Sequence, residues 1–414
     1  MSDPGRWCLP DPARKAHWIA MSSNSYGDGS TRGFDKLPPD LYQPDPALAG
    51  YPPPQPAPPM GSIGYGQPVP GQPYGQVGPY GPPGFPPPMP VPTSALPDVP
   101  RPYQQMLRGQ QYRWWKPLLC LLLVLPLALI MMALAIVPVL IAGWITGADL
   151  ITTMDITNLG PIGFIYLNLS LTVLIPASGL SIWIVHGIRP RFLSSVAGGI
   201  RWRWLLRCIA VILPLWAIYI GLAALVTPFT SPRPTHWVAL LIIALLLTPL
   251  QAAGEEYFFR GWIMQNVGAW FSRPMVGLVV SLVVSAVTFS TLHLSPDPWV
   301  LGGIACLAVA SGLAAWRTGG LEAGIAMHAV NNMLAITVLV LSGSWSEAFI
   351  RSETTGTPVA LLLAAAVYGI ALALILWQAK RAGVQPYYQP PARPLSPGSA
   401  TPAPTYPLSQ YPAP

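Results

Sequence analysis

The chain has 414 residues, of which 9% are charged and 52% hydrophobic, with a formal net charge of +7. Soluble domains carry about 25% charged residues, so this composition excludes an ordinary soluble globular protein. Nor does the positive balance indicate nucleic-acid binding, because the arginines stand beside long apolar runs, where they set membrane topology.

Residues 1–112 are rich in Pro, Gly, Tyr and Gln, with a loose repeat over Gly66–Gln76. Such a segment buries too little apolar surface to offset its chain entropy and is expected to be a disordered cytoplasmic tail. It shows no apolar core of a cleavable signal peptide, and Met21 is an alternative start, because Met1–Ala20 differs in composition from the residues after it. Its expected role is a spacer, with docking of unidentified cytoplasmic partners as the other reading.

Arg101, Arg108, Arg113 and Lys116 lead into the first apolar run, Leu118–Ile141, with Trp114 and Trp115 at its start, where interfacial aromatics belong. Further spans are expected at Ile162–Val185, Leu205–Val226, Trp237–Ala253, Val276–Leu294, Trp299–Trp316, Leu321–Leu341 and Pro358–Trp377. The fold class is thus an all-α polytopic membrane protein of about eight transmembrane helices, occupying residues 113–382. Pro126, Pro138, Pro176 and Pro214 fall inside spans and should kink them. A second Pro-rich tail, residues 383–414, is expected to be disordered.

Basic residues set the orientation. Arg189, Arg191, Arg201 and Arg203 follow span two, Arg273 follows span four, Arg317 span six, and Lys380 with Arg381 span eight. The opposite connections hold Asp149, Asp155, Arg233, Asp297, Glu347, Arg351 and Glu353, and none is strongly basic. Both tails are therefore expected in the cytoplasm, and the membrane is read as a bacterial plasma membrane. Cys8, Cys120, Cys208 and Cys306 have no metal-type or redox spacing.

Three polar elements interrupt the apolar spans, and each is costly there. Glu255-Glu256 with Arg260 ends the fourth, Phe289 and His293 end the fifth, and His328 with Asn332 lies in the seventh. Glu256 and Arg260 are i,i+4 neighbours and can pair. Glu255 lies about 100° round the helix from Glu256 and should face a different partner. His328 and Asn332 share one helical face. A lone membrane histidine is more often a packed hydrogen-bonder, but two, with a carboxylate pair and an Asn, can activate water or hold a metal. Glu255 and His293 lie about 19 residues either side of Pro274, so a hairpin puts both roughly 28 Å from its turn. His328 fits less well, only about 11 residues, or roughly 16 Å, past Arg317.

The ordered set Glu255-Glu256-x-x-x-Arg260, Phe289-x-x-x-His293, His328-x-x-x-Asn332 resembles the signature of the CAAX-protease and bacteriocin-processing family of intramembrane proteases. That family is also called the Abi family, or the type II CAAX prenyl endopeptidases. The resemblance covers about residues 205–341. It implies that Glu255 activates water, that His293 shares this role, and that His328 and Asn332 stabilise an oxyanion or hold a metal. It gives Glu256, Arg260 and Phe289 structural work. Whether a divalent metal such as zinc is required stays open, with Glu255, His293 and His328 as its candidate ligands. The implied partners are the bilayer and a membrane-associated peptide or protein substrate, without nucleic acid.

The alternative is a non-catalytic membrane protein of the same fold that binds a partner, in sensor-kinase regulation or bacteriocin self-immunity. A transporter would require an internal repeat, which the chain lacks. His186 and His236 fall at span ends, where histidines are usually solvated. Glu322 is expected as a helix N-terminal charge and Asn331 as an interhelical hydrogen-bonder.

Overall fold

The structure, a computed structural model, describes residues 94–147, 149, 153–157, 159–226 and 232–391. Among them, eight helical spans are long and apolar enough to cross a bilayer: Lys116–Thr146, Pro161–His186, Trp202–Val226, Trp237–Ala269, Pro274–Thr291, Pro298–Thr318, Glu322–Ser342 and Pro358–Ala382. This is a multi-pass membrane protein. Large apolar side chains such as Leu122, Leu129, Trp144 and Leu362 stay exposed along spans one and eight, as expected where the solvent is lipid.

Three spans are interrupted by a turn, at Ile136, Val173 and Leu247, each just ahead of Pro138, Pro176 or Pro249. Proline supplies no N–H and crowds the carbonyl four residues earlier, so the helix opens there. Pro126 and Pro214, by contrast, lie inside unbroken helices.

Neither tail begins where its composition suggests. Arg101–Pro102 pairs antiparallel with Tyr387–Tyr388, and Tyr103, Met106 and Leu107 are buried. The Tyr103 hydroxyl donates to the Leu193 carbonyl at 2.5 Å. Gln104, Gln105 and Arg108 donate to the carbonyls of Pro274, Phe271 and Ala269. The segment from residue 94 to 112 therefore belongs to the helical domain, as do residues 383–391. It satisfies the Ala269 and Phe271 carbonyls, which the end of span four would leave orphaned. The rest of both expected tails, including the Gly66–Gln76 repeat, lies outside the described residues. The strand pair also brings both ends of the helical domain to one membrane face, which demands an even number of crossings.

Span seven begins deep. Every residue from Thr318 to Val330 is buried, under the connection that follows span two. Leu321 N–H donates to the Ser194 carbonyl at 2.9 Å. Arg201 grips Glu322 through its backbone N–H, Nε and Nη2 at 2.9, 2.8 and 2.7 Å. Glu322 is thus a buried ion-pair partner as well as a helix N-terminal charge. Span seven, and with it His328, therefore starts beneath a covered surface.

Candidate active site

Span four carries the acidic pair into the bundle. Its α-helix gives way at Tyr257–Ile263 to a π-helical stretch, a widening that frees backbone carbonyls and recurs at functional sites. Ser285 of span five donates to the Phe259 carbonyl at 2.9 Å, satisfying one of them. Gly254 lets spans two and four touch at the backbone: a Cβ there would meet the Leu171 carbonyl oxygen at 2.1 Å.

Glu256 and Arg260 are both fully buried, with Oε1 and Nη1 3.1 Å apart. The approach is close without hydrogen-bond alignment, and the guanidinium nitrogens have no hydrogen-bonding partner. The Phe289 ring lies against the cation, its centroid 4.1 Å away. Arg260 stands against Glu256 alone, but the two carboxylates also share a partner. They meet the same imidazole from opposite ends: His328 Nδ1 is 3.0 Å from Glu256 Oε1, and Nε2 is 3.3 Å from Glu255 Oε2. Gly324, one turn before His328, makes room, because a Cβ there would stand 2.7 Å from Glu256 Oε2.

His293 follows the last turn of span five. Its Nδ1 is 2.8 Å from the Phe289 carbonyl, which can only accept, so Nδ1 carries a proton and the neutral ring has its lone pair on Nε2. Leu294 then adopts φ 56°, left-handed among described non-glycine residues only here. That conformation costs on the order of 1–3 kcal/mol and turns the chain sharply behind the histidine. Phe289 is the common platform, with ring centroids 4.9 Å from His293 and 5.8 Å from His328.

Asn332 is oriented through a chain of amides. Trp216 Nε1 donates to Asn331 Oδ1 at 3.0 Å, and Asn331 Nδ2 donates to Asn332 Oδ1 at 3.1 Å. An indole N–H can only donate, so it fixes the direction of the whole chain. Asn332 must present its N–H groups forward, one of them 3.4 Å from Gln251 Oε1. Asn331 is the interhelical hydrogen-bonder expected of it, and it also orients its neighbour.

Glu255, His293, His328 and Asn332 all line one cavity of about 440 Å³. Glu255, His293 and Asn332 also line an adjoining cavity of about 820 Å³. The structure therefore brings the four sequence-selected residues to one space. It does not assemble Glu255, His293 and His328 as a metal centre. The 3.3 Å between His328 Nε2 and Glu255 Oε2 suits two ligands of one tetrahedral zinc, whose donors stand about 3.3 Å apart. Zinc sites take at least three protein ligands, and among the described residues no such group of His, Cys, Asp or Glu is gathered. His186 is buried rather than solvated, and His236 is exposed.

Two contributors escape the motif: Trp216 orients Asn331, and Gln251 receives Asn332. Glu256, which the motif contains, orients His328 as well as facing Arg260. Of the two outside the motif, only Gln251 had a local signal, an amide one helical turn before Glu255 in an apolar run.

Residues 234–334 match the family model described as type II CAAX prenyl endopeptidase Rce1-like. That stretch contains every residue of the constellation from Gln251 to Asn332. The uncharacterized protein YyaK of Bacillus subtilis (strain 168) is 33% identical over 110 residues, covering 24% of this chain and 34% of that protein. The match thus spans about a third of that relative's length. No solved structure matches the chain.

Proposed function

From the type II CAAX prenyl endopeptidase-like domain that residues 234–334 carry, we propose that the protein is an intramembrane endopeptidase acting on a membrane-associated peptide or protein. The observation that carries this reading is the convergence of Glu255, His293, His328 and Asn332 on one cavity among apolar spans. Hydrolysis without a Ser or Cys nucleophile needs a base for water and donors for the developing oxyanion. Glu255 accepts a proton from water as the oxygen bonds to the scissile carbonyl carbon. It returns that proton to the amine as the C–N bond breaks. Asn332 Nδ2, held forward by the amide chain, donates to the oxyanion. His328 lies between the two carboxylates, Nδ1 against Glu256 and Nε2 against Glu255, and so positions the Glu255 carboxylate. His293 Nε2, with its lone pair free, shares the handling of the water proton. The arginine excess beside the tails supports an orientation with both tails cytoplasmic.

The test is hydrolysis by the purified full chain in liposomes, offered a pool of acylated peptides and read by mass spectrometry. We expect cleavage of one defined bond, unaffected by dialysis against a chelator. Loss on chelation that zinc restores would show that hydrolysis needs a divalent ion, with Glu255, His293 and His328 as its candidate ligands. No cleavage of any peptide would leave the partner-binding reading.

The amide chain makes a further prediction. Trp216→Phe removes the donor that fixes its direction, freeing both asparagine amides to turn. The turnover number should fall while KM holds. The loss should be smaller than the roughly 10²–10³-fold that follows outright loss of an oxyanion donor. A rise in KM with unchanged turnover would instead make Trp216 a wall of the binding cavity.

A further inference from the structure

We propose that the site is entered from the membrane face opposite the tails, the extracytoplasmic face, and that its substrate is an extended segment of a membrane-anchored protein or peptide emerging there. This rests on the endopeptidase reading and adds the side and form of the substrate.

The observation is where the cavity walls come from. The two cavities meeting at Glu255, His293 and Asn332 draw their non-helical walls from three connections, represented by Thr157, Leu294, Ile350, Ser352 and Thr355. All three lie on the face away from the Arg101–Tyr388 pairing. Among the described residues, none from the tail-face connections at 187–201, 270–273 or 319–321 lines either cavity. That face is closed over the site instead, by the buried run from Thr318 to Val330 and the Arg201–Glu322 grip above it.

Charge then assigns the faces. The closed face carries arginine after spans two, four and six and Lys380 with Arg381 after span eight, whereas the open face sets Asp155, Asp297 and Glu353 against Arg233 and Arg351. Basic connections stay in the cytoplasm, so the open face is the outer one. The larger cavity is walled by Phe164, Leu167, Leu171, Ile336 and Leu339, an apolar lining that suits the membrane-buried flank of an anchored substrate. Arg351 is the lone Lys or Arg lining either cavity, so the entrance is not built as an anionic-headgroup trap.

Two measurements separate this inference from the hydrolase reading. In a Cys8→Ser background, Thr355→Cys and Ser272→Cys are exposed to a membrane-impermeant maleimide in intact cells and in inside-out vesicles. We expect Thr355→Cys to label in cells and Ser272→Cys only in inside-out vesicles. The reverse pattern overturns the proposal whether or not the protein cleaves anything. Second, an acylated peptide cleaved by the detergent-solubilised full chain is added to the outer leaflet of sealed vesicles of each orientation. Cleavage in right-side-out vesicles and none in inside-out vesicles supports it, and the opposite result overturns it. A solubilised chain that cleaves no peptide defeats the hydrolase reading alone, and the labelling still decides the side of entry.

Discussion

Glu255→Gln is expected to abolish hydrolysis while leaving the helical bundle folded. The substitution keeps the size of the side chain and leaves a carbonyl oxygen to meet His328 Nε2, 3.3 Å away. It removes the ability to accept a proton from water. General-base assistance is worth typically 10²–10⁴-fold, so turnover should fall by about that factor with little change in KM. The melting transition in detergent should shift by no more than a few degrees, because Glu256, Arg260 and Phe289 keep their contacts. His293→Ala should also silence the enzyme, by removing the free Nε2 beside the same cavity. Asn332→Ala should be milder, near the roughly 2.7–4 kcal/mol of one oxyanion donor. A Glu255→Gln protein that cleaves within about tenfold of the unsubstituted chain would lie below the general-base range and would defeat the assignment of Glu255 as the base.

The parts of this architecture legible in the sequence are those that lipid imposes locally. Each span must be apolar over its own length, so eight runs could be read one by one. Glu255, His293, His328 and Asn332 stood out because polar groups are costly in such runs. What could not be read depends on which helices touch. The angular offset of Glu255 and Glu256 suggested separate partners. The close approach of span seven at Gly324 also puts one imidazole between them. The cover over the start of span seven could not be read either, because it comes from a connection more than a hundred residues earlier. The segment around Tyr103 reads as tail because its Gln and Pro residues look solvated. Its glutamines instead serve carbonyls of a turn about 170 residues away, and no local pattern announces that.

Arg260→Ala is expected to cost folded protein far more than it costs chemistry per folded molecule. Arg260 and Glu256 are both fully buried, with Nη1 and Oε1 3.1 Å apart. The cation's other close neighbour is an aromatic ring, Phe289, whose centroid is 4.1 Å away. Deleting the arginine would leave Glu256 as a buried carboxylate facing only His328. Breaking a buried pair by removing one partner costs about 3–5 kcal/mol, a large share of the roughly 5–15 kcal/mol that holds a typical domain. Yield after detergent extraction and the melting transition should both drop sharply. Arg260 does not line either cavity that holds Glu255, so residual folded molecules should turn over within a few-fold of normal. Arg260→Lys should recover only part of the loss, because an ammonium keeps the charge but not the planar group that stacks on Phe289. The double variant Glu256→Gln with Arg260→Met should be more stable than Arg260→Ala, since it removes both charges and fills the space. It should nevertheless turn over slowly, because the amide oxygen left at residue 256 accepts from His328 Nδ1 more weakly than the carboxylate does. An Arg260→Ala protein that extracts and melts like the unsubstituted chain would show that the ion pair contributes nothing to the fold. The reason for an arginine at this depth would then have to be sought in Phe289 and the histidines around it.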